Sequence, residues 1–172
     1  MEHLYLGLYA GLVRWGHIVA GITWIGLLYY FNLVQMAALK DAGVDGTAAG
    51  ITKHVAPRAL LWFRWASVAT WILGVGLLCT LGDKGASVIH KAFTLQAPYA
   101  GIGIGAWLGT IMLFNVWHFI WPNQKKILGM VPATDEVKAK ARRVAMLASR
   151  TNLMLSLPML YFMANGFSHR IG

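Results

Sequence analysis

Four long apolar stretches divided by polar connectors organise this chain, at about residues 10–38, 58–81, 97–121 and 145–165. A hydrocarbon core about 30 Å thick takes about 20 apolar residues of helix. Backbone groups inside it must bond within their own segment, so each stretch is predicted helical. The pattern predicts an all-α integral membrane protein, a four-transmembrane-helix bundle forming one membrane domain over residues 1–172. The first stretch exceeds the needed length and is predicted to tilt or project. Pro57 starts the second stretch, where its missing N–H costs little. Pro98 opens the third, Pro122 follows it, and Pro158 inside the fourth predicts a kink. "KDAGVDGTAAG" reads as a polar, Gly-rich connector. No internal repeat stands out, and the N-terminus lacks the basic start and cleavage site of a secretory signal, so it is expected to be retained.

Composition agrees with this pattern. Hydrophobic residues make up 58% of the 172 and charged residues 12%, against roughly a quarter charged in soluble domains. One cysteine, Cys79, excludes an internal disulfide and a C-x-x-C-H haem attachment. The net charge of +9 does not imply a nucleic-acid partner, because the cations lie beside spans. Lys40, Lys53 and Arg58 fall in or beside the first connector, and Lys125, Lys126, Lys138, Lys140, Arg142, Arg143 and Arg150 in the third. The opposite side has Lys84, Lys91, Arg170 and Arg14. The positive-inside rule then places both termini outside the cytoplasm. "ATDEVKAKARRVAMLASR" reads as a helix capped by Thr134, with acids in its first turn. It is expected on the cytoplasmic surface, touching lipid or a partner.

Ionisable residues inside spans are expensive and call for partners or function. His17 and His118 stand inside the first and third stretches, and Arg64 and Asn115 inside the second and third. Asn32 and Gln35 come late in the first. His54 and His90 precede the second and third stretches, and His3 and His169 lie near the termini. His17 and His118 are expected at different depths. His17 could pair with His90, His3 or His169, and His118 with His54. Imidazole ligates haem iron, and helical bundles hold cofactors between facing helices. His17, His118, His54 and His90 are therefore candidate ligands of one or two haem b groups. Gly21 and Gly105 are candidate notches for a macrocycle, and Arg14, Arg64 and Lys53 candidate partners of propionates. A Gly stripe equally suits a close helix contact, and Arg64 equally snorkels. No H-E-x-x-H run or dinucleotide fingerprint occurs.

"RWGHIVAGITWIGLLYYFN", "PRALLWFRWASVATWILGVGLL", "VWHFIWPNQKKILG" and "ASRTNLMLSLPMLYFM" together resemble the membrane domain of bacterial membrane-bound urate hydroxylases, the urate oxidase N-terminal family. The resemblance covers about residues 10–168 and implies a multi-pass protein of a bacterial inner membrane, with both termini on the periplasmic side. The chain departs from the long urate hydroxylases, which continue into a cytochrome c domain, and is expected to be a stand-alone form without it. The first stretch also resembles HemJ-type and CopD-like haem membrane proteins, which implies haem b near His17. The leading expectation is a haem-b subunit for electron transfer between a periplasmic redox partner, such as a cytochrome c, and a quinone or larger membrane complex. One alternative is a membrane oxidase or hydroxylase of a small heterocycle such as urate, for which Arg64, Asn115 and Gln35 could hydrogen-bond a ring. Another is a cofactor-free scaffold.

Overall fold

The computed structural model describes residues 2–81 and 85–165. Helix α1 (Glu2–Tyr29) runs through a π-helical turn (Tyr30–Gln35) into α2 (Met36–Asp45), so the first predicted span is the middle of one continuous helix. It stops at Gly46, whose φ of 80° suits a residue without Cβ. The Thr47 N–H and hydroxyl both donate to the Asp45 carboxylate. The expected Gly-rich connector is thus a tight turn between helices. The second long helix comprises α3 (Ala48–Gly50), a π-helical turn (Ile51–Val55) and α4 (Ala56–Cys79). After short α5 (Gly85–Phe93), the third comprises α6 (Ala100–Asn115), a π-helical turn (Val116–Ile120) and α7 (Trp121–Ile127). Last comes α8 (Asp135–Asn165), whose Thr134 hydroxyl accepts the Val137 N–H at 3.4 Å, as the capping pattern predicts.

Three of these helices, Tyr5–Asp45, Ala48–Cys79 and Ala100–Ile127, are long and apolar enough to cross a membrane. Their outward faces carry large apolar side chains, among them Leu12, Trp15, Ile22 and Trp62. The architecture is that of a multi-span helical membrane protein. The fourth predicted span is the second half of α8, whose first half carries Lys138, Lys140, Arg142, Arg143 and Arg150.

Two of the π-helical turns sit directly before prolines. A proline ring crowds the carbonyl four residues back, and widening the ladder to five residues relieves that contact. Ala56 N–H bonds Ile51 O just before Pro57, and Trp121 N–H bonds Val116 O just before Pro122. Pro122, expected to close the third span, is therefore carried inside a helix that continues to Ile127. Pro158 likewise lies inside α8, which continues to Asn165. The turn Tyr30–Gln35 contains no proline, and its widening falls on Asn32 and Gln35.

α1 packs against α4 and α6 against α8. The core holds Trp24, Leu28, Phe63, Met112, Val116 and Met159. A second cluster of Leu78, Val88, Ala92 and Ile102 seats α5 on one end of the bundle. Gly103 permits this closeness, because a Cβ there would stand 1.9 Å from Ala92 O.

Candidate functional site

Cross-helix contacts set the level of each polar side chain. At the α5 end, His17 on α1 lies against α4. Its Nδ1 is 2.8 Å from Thr70 O. A carbonyl only accepts, so Nδ1 carries the proton and Nε2 of the neutral ring keeps its lone pair. Gly74 makes room for the ring, since a Cβ there would stand 2.9 Å from His17 Cε1. His17 is thus half-buried and fixed in orientation by α4.

The other level lies toward α7. Phe31 meets Phe63 edge-on at 5.4 Å, and Trp65 meets Trp117 at 5.5 Å. The Arg64 guanidinium stacks 3.6 Å from the centre of the Trp121 ring. Among the described residues the one ion pair is Lys138–Asp135, so Arg64 faces Trp121 without a carboxylate. Asn32 Nδ2 donates to Ser149 Oγ at 2.8 Å and to Leu28 O. Asn115 Nδ2 donates to Asn152 Oδ1 at 2.8 Å, and Asn152 Nδ2 donates to Met112 O at 3.0 Å. Ser156 and Tyr29 hydroxyls lie 3.2 Å apart. One polar face of α8, formed by Ser149, Asn152 and Ser156, thereby ties α8 to the first and third helices.

Three buried polar atoms near this level have no partner among the described residues, Asn32 Oδ1, Gln35 Oε1 and Trp117 Nε1, and Trp24 Nε1, two turns earlier on α1, is a fourth away from it. Such a group costs about 1–3 kcal/mol when left unpaired. A shallow groove of about 370 Å³ between the second and third long helices is lined by Val68, Trp71, Thr110, Leu113, Phe114 and Trp117, and of these four residues it reaches Trp117 alone. Its one hydroxyl, Thr110 Oγ1, is taken by Trp71 Nε1 at 2.9 Å, so the groove offers little to a polar ring.

The structure does not gather the other expected residues around either level. His118 is exposed and stacks on Phe114 at 4.1 Å. It neighbours Trp117, which meets Trp65, whereas His17 meets Thr70 and Gly74. Five to nine residues of α4 separate these levels, roughly 8–14 Å at 1.5 Å per residue. The two rings therefore cannot share one iron. His54 and His90 are exposed on separate short elements, and Arg14 is exposed on α1. A Cβ at Gly21 would stand 3.8 Å from Thr70 Cγ2, and one at Gly105 would stand 3.3 Å from Met163 Cε. Both are helix contacts already filled by protein. His17 Nε2 is fit to ligate a haem iron, but these two glycines form no cradle for the macrocycle. His169, Lys84 and Arg170 lie outside the described residues, as does the side chain of His3.

The family described as "urate oxidase N-terminal" matches residues 4–90 and 84–170. The chain belongs to that family. No curated protein and no solved structure matches it. The leading expectation from the sequence, a haem-b subunit for electron transfer, is overturned. The family points to an oxidase. Among the described residues, no three His, Cys, Asp or Glu side chains come together where they could hold a metal ion. His17, His118, His54 and His90 are scattered because helix packing sends positions that are polar along the chain to different levels and faces.

Ser149, Asn152, Ser156 and Trp121 were not anticipated. A signal for the first three is visible in "SRTNLMLSLPM", where Ser149, Asn152 and Ser156 recur at three- and four-residue steps and so share one helix face. Trp121 carries no comparable signal, since its pairing with Arg64 exists only across helices.

Proposed function

We propose that this chain is a membrane-embedded oxidase of a small, planar nitrogen heterocycle, with urate the family's implied substrate. The family match over nearly the whole chain carries this reading. Arg64 supports it from the site. A half-buried guanidinium stacked on an indole, without a carboxylate, suits an anionic ring. In the reaction, water supplies the oxygen that bonds to a ring carbon, and two electrons and two protons leave. The electrons pass to an external acceptor, a quinone or a cytochrome. Arg64 binds and orients the anion, and the apolar core around Phe63 and Met112 limits water. In this reading α8 forms the fourth span, with both termini outside the cytoplasm.

The test is urate turnover by the purified chain in lipid vesicles with an added acceptor. Arg64→Ala is expected to raise the apparent KM at least about tenfold, the loss of roughly 1.4 kcal/mol of binding. Arg64→Lys keeps the charge but loses the planar stack, and is expected to fall between. Equal KM values in all three folded proteins would remove Arg64 from the site.

A further inference from the structure

We infer that Asn32 Oδ1 and Gln35 Oε1 are acceptors for ring N–H groups of the bound heterocycle. The ligand class is accordingly a cyclic imide or ureide bearing N–H donors, as in oxidised purines and hydantoins. The inference deepens the proposed function and rests on it for the shape of the ligand.

Both oxygens are buried and unpaired among the described residues, although buried polar atoms are nearly always bonded. Both lie on Tyr30–Gln35, the π-helical turn that no proline explains. Turns of this kind recur at functional sites. Asn32 is not free to turn away, because its amide nitrogen is held by Leu28 O and Ser149 Oγ. Its oxygen therefore keeps a fixed direction and can only accept. Trp117 Nε1 supplies a buried unpaired donor from the third helix, suited to a ring carbonyl. Trp117 stands against Trp65, beside Arg64, and Asn32 follows Phe31, which stands against Phe63. Two acceptors, one donor and one guanidinium thus occupy one level. A ring alternating N–H and C=O groups matches that set, whereas a purely apolar molecule or a simple anion leaves the two oxygens unpaired.

The test measures binding to the purified protein in detergent, by ligand-dependent shift of the unfolding temperature and by equilibrium titration. The probes are urate, xanthine and hydantoin, each with a fully N-methylated counterpart. The N–H forms are expected to bind wild type at least about tenfold more tightly than the N-methylated forms, and Gln35→Met, which leaves Arg64 and its preference for an anion in place, is expected to narrow that gap. Gln35→Met keeps length and removes the acceptor. It is expected to leave the ligand-free protein as stable as wild type and to weaken the N–H ligands at least about fivefold. Equal binding of N–H and N-methylated forms, or unchanged affinity in a folded Gln35→Met protein, would overturn the inference. Loss of stability in the ligand-free Gln35→Met protein would also overturn it, because it would reveal an internal partner. Urate turnover with unchanged affinity in Gln35→Met sinks this inference and leaves the oxidase. Selective N–H binding without any turnover does the reverse.

Discussion

Single side chains carry the account where an apolar helix tolerates a polar group. His17 needs Gly74 beneath it. Gly74→Ala is expected to destabilise by about 1–3 kcal/mol as the ring is forced aside, read as a lower unfolding temperature in detergent. His17→Leu should restore part of that loss in the double variant, because the clash is with the imidazole. Asn152 is fully buried and bonds both Asn115 and Met112 O. Asn152→Ala is expected to cost about 1–3 kcal/mol by stranding Asn115, and an unchanged unfolding temperature would show that the bonds contribute nothing. Arg64, Asn115 and Gln35 could be picked out in the sequence as polar interruptions of apolar runs. Their pairings could not. Asn115 chooses Asn152 and Arg64 chooses Trp121 only because helix packing sets levels that spacing along one helix does not contain.

At the scale of elements, hydropathy located the three helices long and apolar enough to cross a membrane, but not their ends. Apolar runs report the stretch that suits lipid, whereas helices continue into water wherever capping and propensity allow. The first helix thus reaches Asp45, where Gly46 turns the chain. The π-helical turns were not legible, since a proline in an apolar run reads equally as an end or an interruption. α5 rests on Gly103 with almost no tolerance. Gly103→Ala is expected to cost ~3 kcal/mol or more, since the neighbouring atom is backbone oxygen that cannot rotate away. Limited proteolysis of the α5 region would report the release. The turn after α2 is expected to respond to pH. The Thr47 hydroxyl and N–H hold the Asp45 carboxyl below its ordinary range. A lowered folded-state pKa stabilises above the unfolded value and fades as pH falls through the folded one. Thr47→Val is therefore expected to differ from wild type at neutral pH and to converge with it in acid, seen in amide exchange at the turn.

For the whole molecule, charge and fold agree on one axis. Lys40, Lys53 and Arg58 lie on the helices either side of the first hairpin's turn, and Lys125, Lys126 and the first half of α8 lie at that same end of the bundle. Cys79, the single cysteine, is exposed at the other end, where α4 closes. The positive-inside rule assigns the basic end to the cytoplasm. A membrane-impermeant maleimide is therefore expected to label Cys79 in intact cells, and labelling only after permeabilisation would invert the topology. The family could be recognised in the sequence, but the leading function drawn from it could not stand. Histidines counted along a chain suggested a cofactor, whereas the folded chain spreads them over two levels and gathers amides, an arginine and indoles instead. The most direct measurement is of the purified chain in vesicles, following urate loss and acceptor reduction together. The account predicts saturable consumption with two electrons delivered per urate, weakened at least about tenfold at low substrate by Arg64→Ala. A folded, vesicle-inserted protein that consumes no urate with either a quinone or a cytochrome acceptor would contradict it.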